Sequence, residues 1–184
     1  MQLTWIVDAL AEPAPDPESL AASPVASQRL RVAIPARTLS AAGITQRVAA
    51  LPWASGPGAL LRTDIAVFSK ILPRSEAHLQ QHLIHARRLR HEGARIVVDI
   101  CDTPFVGMQA PFMRALLDLA DLVTANSPLM ADVVSEQIER PVQVLPDPVE
   151  GPRLAPRFAP VARASGWLRR GGGRLGLLWF GGST

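Results

Sequence analysis

Apolar runs of strand length recur along this chain, and helix-length segments separate most of them. That alternation restricts the fold more than any other feature. The runs are Leu3 to Val7 (LTWIV), Ile44 to Leu51, Asp64 to Lys70 (DIAVFSK), Arg95 to Ile100 (RIVVDI), Leu122 to Ala125 (LVTA), Pro141 to Leu145 (PVQVL) and Leu175 to Phe180 (LGLLWF). Each is short, rich in β-branched or aromatic residues, and flanked by turn formers. RIVVDI is nearly continuous in apolar character, which suits a strand covered on both faces.

The intervening segments carry helix punctuation. Ser27 precedes Gln28 to Ala42, where Leu30, Ile34 and Leu39 share roughly one face and Gly43 marks the stop. Pro35 lies inside that segment, lacks a backbone donor, and predicts a kink or the true helix start. Pro73 and Ser75 open a helix to His91, closed by Gly93. Phe112 to Ala120 reads as a short helix, and Ser127 with Pro128 starts another that runs to about Ile138. Residues 11 to 26 read as a loop.

Strands that alternate with helices connect by right-handed crossovers. They therefore predict an α/β fold: a Rossmann-like, doubly wound, mostly parallel sheet with helices on both faces. Residues 1 to 150 are expected to form that domain. The Pro-, Arg- and Gly-rich stretch 151 to 174 is expected to be a linker. Residues 175 to 184 are expected to be the first strand and glycine loop of a truncated second domain.

Composition limits the function classes. The single cysteine, Cys101, allows no internal disulfide and suits a reducing, cytoplasmic setting. No uninterrupted apolar run reaches about 18 residues, and the N-terminus lacks the basic start of a signal peptide. Net charge is +3, and Lys70 is the one lysine among 19 basic residues. Arginine richness of this kind reads as base composition, and no nucleic-acid partner is expected. Arg87, Arg88 and Arg90 form a basic helix face, either solvated or in peripheral contact with the inner membrane surface.

Ligands of open parallel sheets bind at the carboxyl ends of the strands. The residues there are Ser69 and Lys70, Asp102 and Thr103, Asn126 and Ser127, Asp147 and Pro148, and Gly181 with Gly182. Lys70 is suited to a phosphate or a sugar hydroxyl, or is an exposed charge. Asp102 is suited to general-base work or to orienting a hydroxyl, or it caps its turn. Asp99, inside a strand, needs a partner if buried, and Arg29, Arg31 and Arg95 are the candidates. His78, His82 and His85 form one stripe at the boundary of an apolar helix face. Such a stripe can hold zinc, but no further ligand is placed among them and no metal site is expected. The chain has no GxGxxG after a strand, no P-loop, no HExxH and no CxxC.

The order of these pieces resembles the N-terminal half of GT-B glycosyltransferases of the large group that uses nucleotide-sugar donors. SQRLRVAIPARTLSAAGI (27–44) is similar to their first helix, and DIAVFSK and RIVVDICD to their central strands. ADLVTANSPLMADVV (120–134) and PVQVLPDPVE (141–150) are similar to the strands and helix that end the domain, and LGLLWFGG (175–182) to the opening of the C-terminal domain. The resemblance implies two Rossmann-like domains across a cleft and no cofactor beyond the nucleotide-sugar as co-substrate. Its acceptor is a glycan, a lipid or a small molecule. Arg31 and Lys70 match acceptor-side positions, Asp102 a catalytic position facing the cleft, and Gly181 and Gly182 the glycine loop near the donor diphosphate. Asp147-Pro148 stands where many members carry Asn-Gly. The paired glutamates that hold the donor in such enzymes belong to the C-terminal domain, so this chain alone is expected to be inactive. The alternative is a stand-alone flavodoxin-like binding or regulatory domain without catalysis.

Overall fold

A computed structural model describes residues 1–8, 16–51, 62–69, 71, 75–103, 105–107 and 109–148, all within one compact unit, Met1–Glu150. Lys70, the expected linker 151–174 and the expected strand and glycine loop 175–184 lie outside the described residues.

The strands are β1 (Gln2–Asp8), β2 (Thr45–Leu51), β3 (Ile65–Ser69), β4 (Arg95–Ile100), β5 (Leu122–Ala125) and β6 (Gln143–Val144). They form a six-stranded sheet in the order β2-β1-β3-β4-β5-β6. Every pairing is parallel. The expected α/β architecture is therefore present, Rossmann-like in its all-parallel sheet and interleaved helices. The chain moves from β1 outward to β2, then returns to the other side of β1 for β3. That reversal opens a crevice at the carboxyl ends of β1 and β3.

The helices are α1 (Ala26–Gln28), α2 (Ile34–Ala41), α3 (Glu76–His91), α4 (Gln109–Leu119) and α5 (Pro128–Ile138). Alternation along each strand sends side chains to two separate cores. Leu3, Trp5 and Val7 of β1 pack with Val32, Ala33 and Ala36 on one face. Ile6, from the same strand, joins Phe68, Ile96, Val98 and Ile100 on the other. There Leu79, Leu83 and Ala86 of α3, Phe112, Leu116 and Leu117 of α4, and Val134 of α5 cover them. Full burial of each Val, Leu, Ile or Phe side chain among them contributes roughly 1.5–3 kcal/mol.

Local signals place the ends. The Ser75 hydroxyl accepts from the His78 N–H at the start of α3, and the Ser127 hydroxyl accepts from the Met130 N–H at the start of α5. Gly93 ends α3 with a φ of 92°, a left-handed conformation that glycine adopts without strain. Pro35 does not break its helix. Arg29–Ala33 forms one wider π turn, in which the Ile34 N–H bonds the Arg29 carbonyl, and Pro35 then stands in the first turn of α2. Inserting a residue into the ladder absorbs the missing donor and the ring.

One stretch expected as loop contains structure. Pro17–Ala22 is a 3-10 helix, because Asp16 caps it through the Ser19 N–H and Pro17 supplies a preset first φ. Among the described residues no helix is long and apolar enough to cross a membrane.

Candidate functional site at the carboxyl edge of the sheet

Register brings three polar residues into one row. Ser69 of β3 stands beside Asp99 of β4, and Asp99 stands beside Thr124 of β5. All three are buried, with Asp99 6% exposed. A carboxylate there loses much of its hydration and needs donors. The Thr124 hydroxyl donates to Asp99 Oδ1 at 2.6 Å, and the Ser69 hydroxyl donates to Oδ2 at 3.3 Å. Arg31 adds a two-pronged contact, with Nε donating to Oδ2 at 2.8 Å and Nη2 donating to Oδ1.

Of the three arginines considered for Asp99, the fold selects Arg31. The π turn carries Arg31 over the sheet. Arg29 instead donates to the Ser23 carbonyl, and Arg95, at the opposite end of β4, pairs with Asp121. Burial works against the Arg31 charge, but its hydrogen bonds to Asp99 and the nearby charges of Asp99 and Asp147 outweigh it, holding its pKa above the ordinary arginine value.

The network continues to the rim. Arg31 Nη1 donates to the Leu145 carbonyl at 2.8 Å and to Asp147 Oδ1 at 3.1 Å. Asn126, just past β5, donates from Nδ2 to Asp147 Oδ2 and to the Cys101 carbonyl, each at 3.3 Å. Those two acceptors fix the orientation of the amide, leaving Asn126 Oδ1 buried without a hydrogen-bond partner. Cys101 and Asp102 follow β4, and the Cys101 thiol donates to Asp102 Oδ2 at 3.7 Å.

Of the residues expected at the site, Asp102 is exposed at this edge and Arg31, 4% exposed, lies beneath it. Arg31 reaches the rim through Asp147 and Leu145. The structure thus joins Arg31, Asp99, Asn126 and Asp147 in one hydrogen-bonded set, with Asp102 one residue from Cys101. Lys70, Gly181 and Gly182 lie outside the described residues. The roles of Ser69 and Thr124 are not visible in the sequence, because they depend on which strands become neighbours.

Beside Asp102 a cavity of about 110 Å³ enters the side of the sheet under α4. A wider recess of about 700 Å³ lies at the opposite, amino edge, lined by Gln2, Arg62, Asp64 and others. Within it the Gln2 N–H bonds Asp64 Oδ2 at 2.6 Å, and the Thr63 hydroxyl donates to the Gln2 carbonyl at 3.0 Å. Ligands of open parallel sheets bind at the carboxyl edge, which makes that edge the candidate site.

The histidine stripe departs from expectation. His78 and His82 lie inside the core rather than at its boundary, 7% and 0% exposed, and Phe112 of α4 stands against His82. The His82 ring stacks obliquely 4.7 Å from His78 and 6.3 Å from Phe112. Neither ring nitrogen of His82 has a hydrogen-bond partner. Burial, with smaller contributions from His78 and His85, pushes its pKa down to about 3, so it stays neutral near pH 7. Among the described residues no group of three or more His, Cys, Asp or Glu is placed to hold a metal ion.

No protein-family model, curated protein or solved structure matches the chain.

Proposed function

We propose that this chain is the acceptor-side half of a glycosyltransferase that moves a sugar from a nucleotide-sugar to a hydroxyl. The observation that carries the reading is the gathering of Asp102, Asn126 and Asp147 at the carboxyl edge of an all-parallel sheet, the edge at which ligands of such sheets bind. The resemblance of residues 27–182 to such enzymes adds the reaction class. Asp102 takes the proton of the acceptor hydroxyl or orients it. Arg31 fixes the Asp99 row and Asp147, and so acts as a positioning residue. Lys70, Gly181 and Gly182 keep the acceptor and donor-phosphate roles the resemblance implies. The donor is held by a second domain, and this chain alone turns over no nucleotide-sugar.

A second reading is a flavodoxin-like binding or regulatory domain. The order β2-β1-β3-β4-β5 favours it, because that is the strand order of such domains. Nucleotide-sugar turnover by the protein together with a donor-binding domain separates the two: acceptor-dependent release of nucleoside diphosphate is expected on the first reading, and its absence favours the binding domain. Release of nucleoside diphosphate by the purified chain alone would sink the division of labour proposed here.

A further inference from the structure

Two carboxylates share the Arg31 guanidinium, and they share it unequally. Asp99 takes Nε and Nη2, lies inside β4 and is 6% exposed. Asp147 takes only Nη1, at 3.1 Å. It stands beyond β6, and its side chain is 40% exposed. Water and side-chain freedom weaken an ion pair with so open a partner. Asp99 is therefore the fixed partner of Arg31, and Asp147 the exchangeable one.

The donors behind Asp147 are held by other contacts. Arg31 is anchored by Asp99, and its Nη1 also donates to the Leu145 carbonyl at 2.8 Å. The Asn126 N–H bonds the Ile100 carbonyl at 3.2 Å, and Nδ2 donates to the Cys101 carbonyl at 3.3 Å. Arg31 Nη1 and Asn126 Nδ2 each carry two hydrogens. Each nitrogen gives one bond to a main-chain carbonyl and one to Asp147. Arg31 meets Oδ1 and Asn126 meets Oδ2. Two N–H groups from separate elements thus converge on the two oxygens of one carboxylate. The Asn126 amide keeps this orientation although its Oδ1 is left buried without a hydrogen-bond partner, which is costly in itself. An anion that replaced Asp147 would leave the charge around Arg31 unchanged.

We propose that Arg31 Nη1 and Asn126 Nδ2 form a slot for a ligand carboxylate, and that Asp147 fills it as a stand-in from the chain itself. Binding exchanges one carboxylate for another and releases the Asp147 side chain from the rim. If the site serves as proposed above, the acceptor carries a carboxylate beside its hydroxyl. That last step rests on the glycosyltransferase reading; the slot does not.

Asn126 is the one asparagine of the chain, so an asparagine nitrogen-15 label reports a single side-chain amide. The test titrates the whole chain with sodium acetate in exchange for sodium chloride at fixed ionic strength, as wild type and as Asp147→Ala. In the wild type, acetate competes with a tethered carboxylate of high effective concentration. Expected in D147A is a saturable shift of the Asn126 side-chain amide, with roughly ten-fold weaker acetate binding in the wild type. Asp147 is partly exposed and outside the strands, so its loss should spare the core. Should D147A fail to fold, Asp147→Ser is expected to give the same result. A linear, unsaturable response in the variant, or equal binding by variant and wild type, would overturn the proposal. Acetate binding by a gene product that turns over no nucleotide-sugar would leave the slot standing and remove only the enzymatic reading.

Discussion

Asp99 and His82 are both polar residues inside the protein, and the fold treats them in opposite ways. Asp99 is surrounded by donors from β3, β5 and the π turn. His82 has no hydrogen-bond partner and is held neutral under α4. A buried polar group is tolerated either by pairing or by losing its charge. The first solution ties distant elements together, since Arg31 links the centre of the sheet to the chain leaving β6. The second leaves a weak point that acid can open.

The largest expected effect comes from breaking the paired side. Arg31→Met removes one partner of a buried ion pair, and should destabilise the fold by about 3–5 kcal/mol in urea denaturation. The double variant R31M/D99L should recover most of that loss, because an apolar pair of fitting volume is often neutral. A single-variant cost below about 1 kcal/mol would show that the pair is not a structural tie.

Acid probes the other side. His82 is protonated more readily in the unfolded chain, near pH 6.5, than in the fold, near pH 3. Its neutral form therefore supports the fold above pH 6.5, and that support is lost as pH falls from 6.5 towards 3. The slope should approach about 1.4 kcal/mol per pH unit. His85, also shifted down by burial and by Arg88, adds to it in the same direction. His82→Leu should flatten most of the dependence between pH 6 and pH 4, measured by urea midpoints across that range; an unchanged slope would mean that His82 is not the acid-sensitive group.

A smaller effect is expected at the entrance of the helix that carries His82. Ser75→Ala removes the acceptor for the His78 N–H and should cost about 1 kcal/mol by thermal denaturation, without altering the pH slope. The smallest is at the far end of α3. There Arg88 and Glu92 form an exposed pair at 3.2 Å, and Glu92→Gln should change stability by less than about 0.5 kcal/mol, vanishing in high salt.

How much was legible in the sequence follows from the range of each signal. Period, caps and turn residues act locally, and they located RIVVDI, LVTA and the Ser127–Pro128 start from the chain alone. The need of Asp99 for a partner was also legible, because burial of a carboxylate carries that demand anywhere. Which arginine would answer was not. It depends on the π turn, which a helix with an internal proline does not announce. The Ser69–Asp99–Thr124 row required the strand order, a long-range property. The burial of His82 required the position of α4, since a histidine beside an apolar stripe reads as boundary until a second helix covers it. The turn at 17–22 was hidden by its own composition, in which Pro and Ser suggested a loop.

The most direct measurement is nucleoside-diphosphate release from nucleotide-sugars by the full gene product, compared with its Asp102→Asn variant. Expected is release that depends on an added alcohol acceptor and falls by roughly 10²–10⁴-fold in the variant, the range for loss of a general base. Release that is untouched by D102N, or no release from any nucleotide-sugar, would contradict the assignment of the carboxyl edge as an acceptor site.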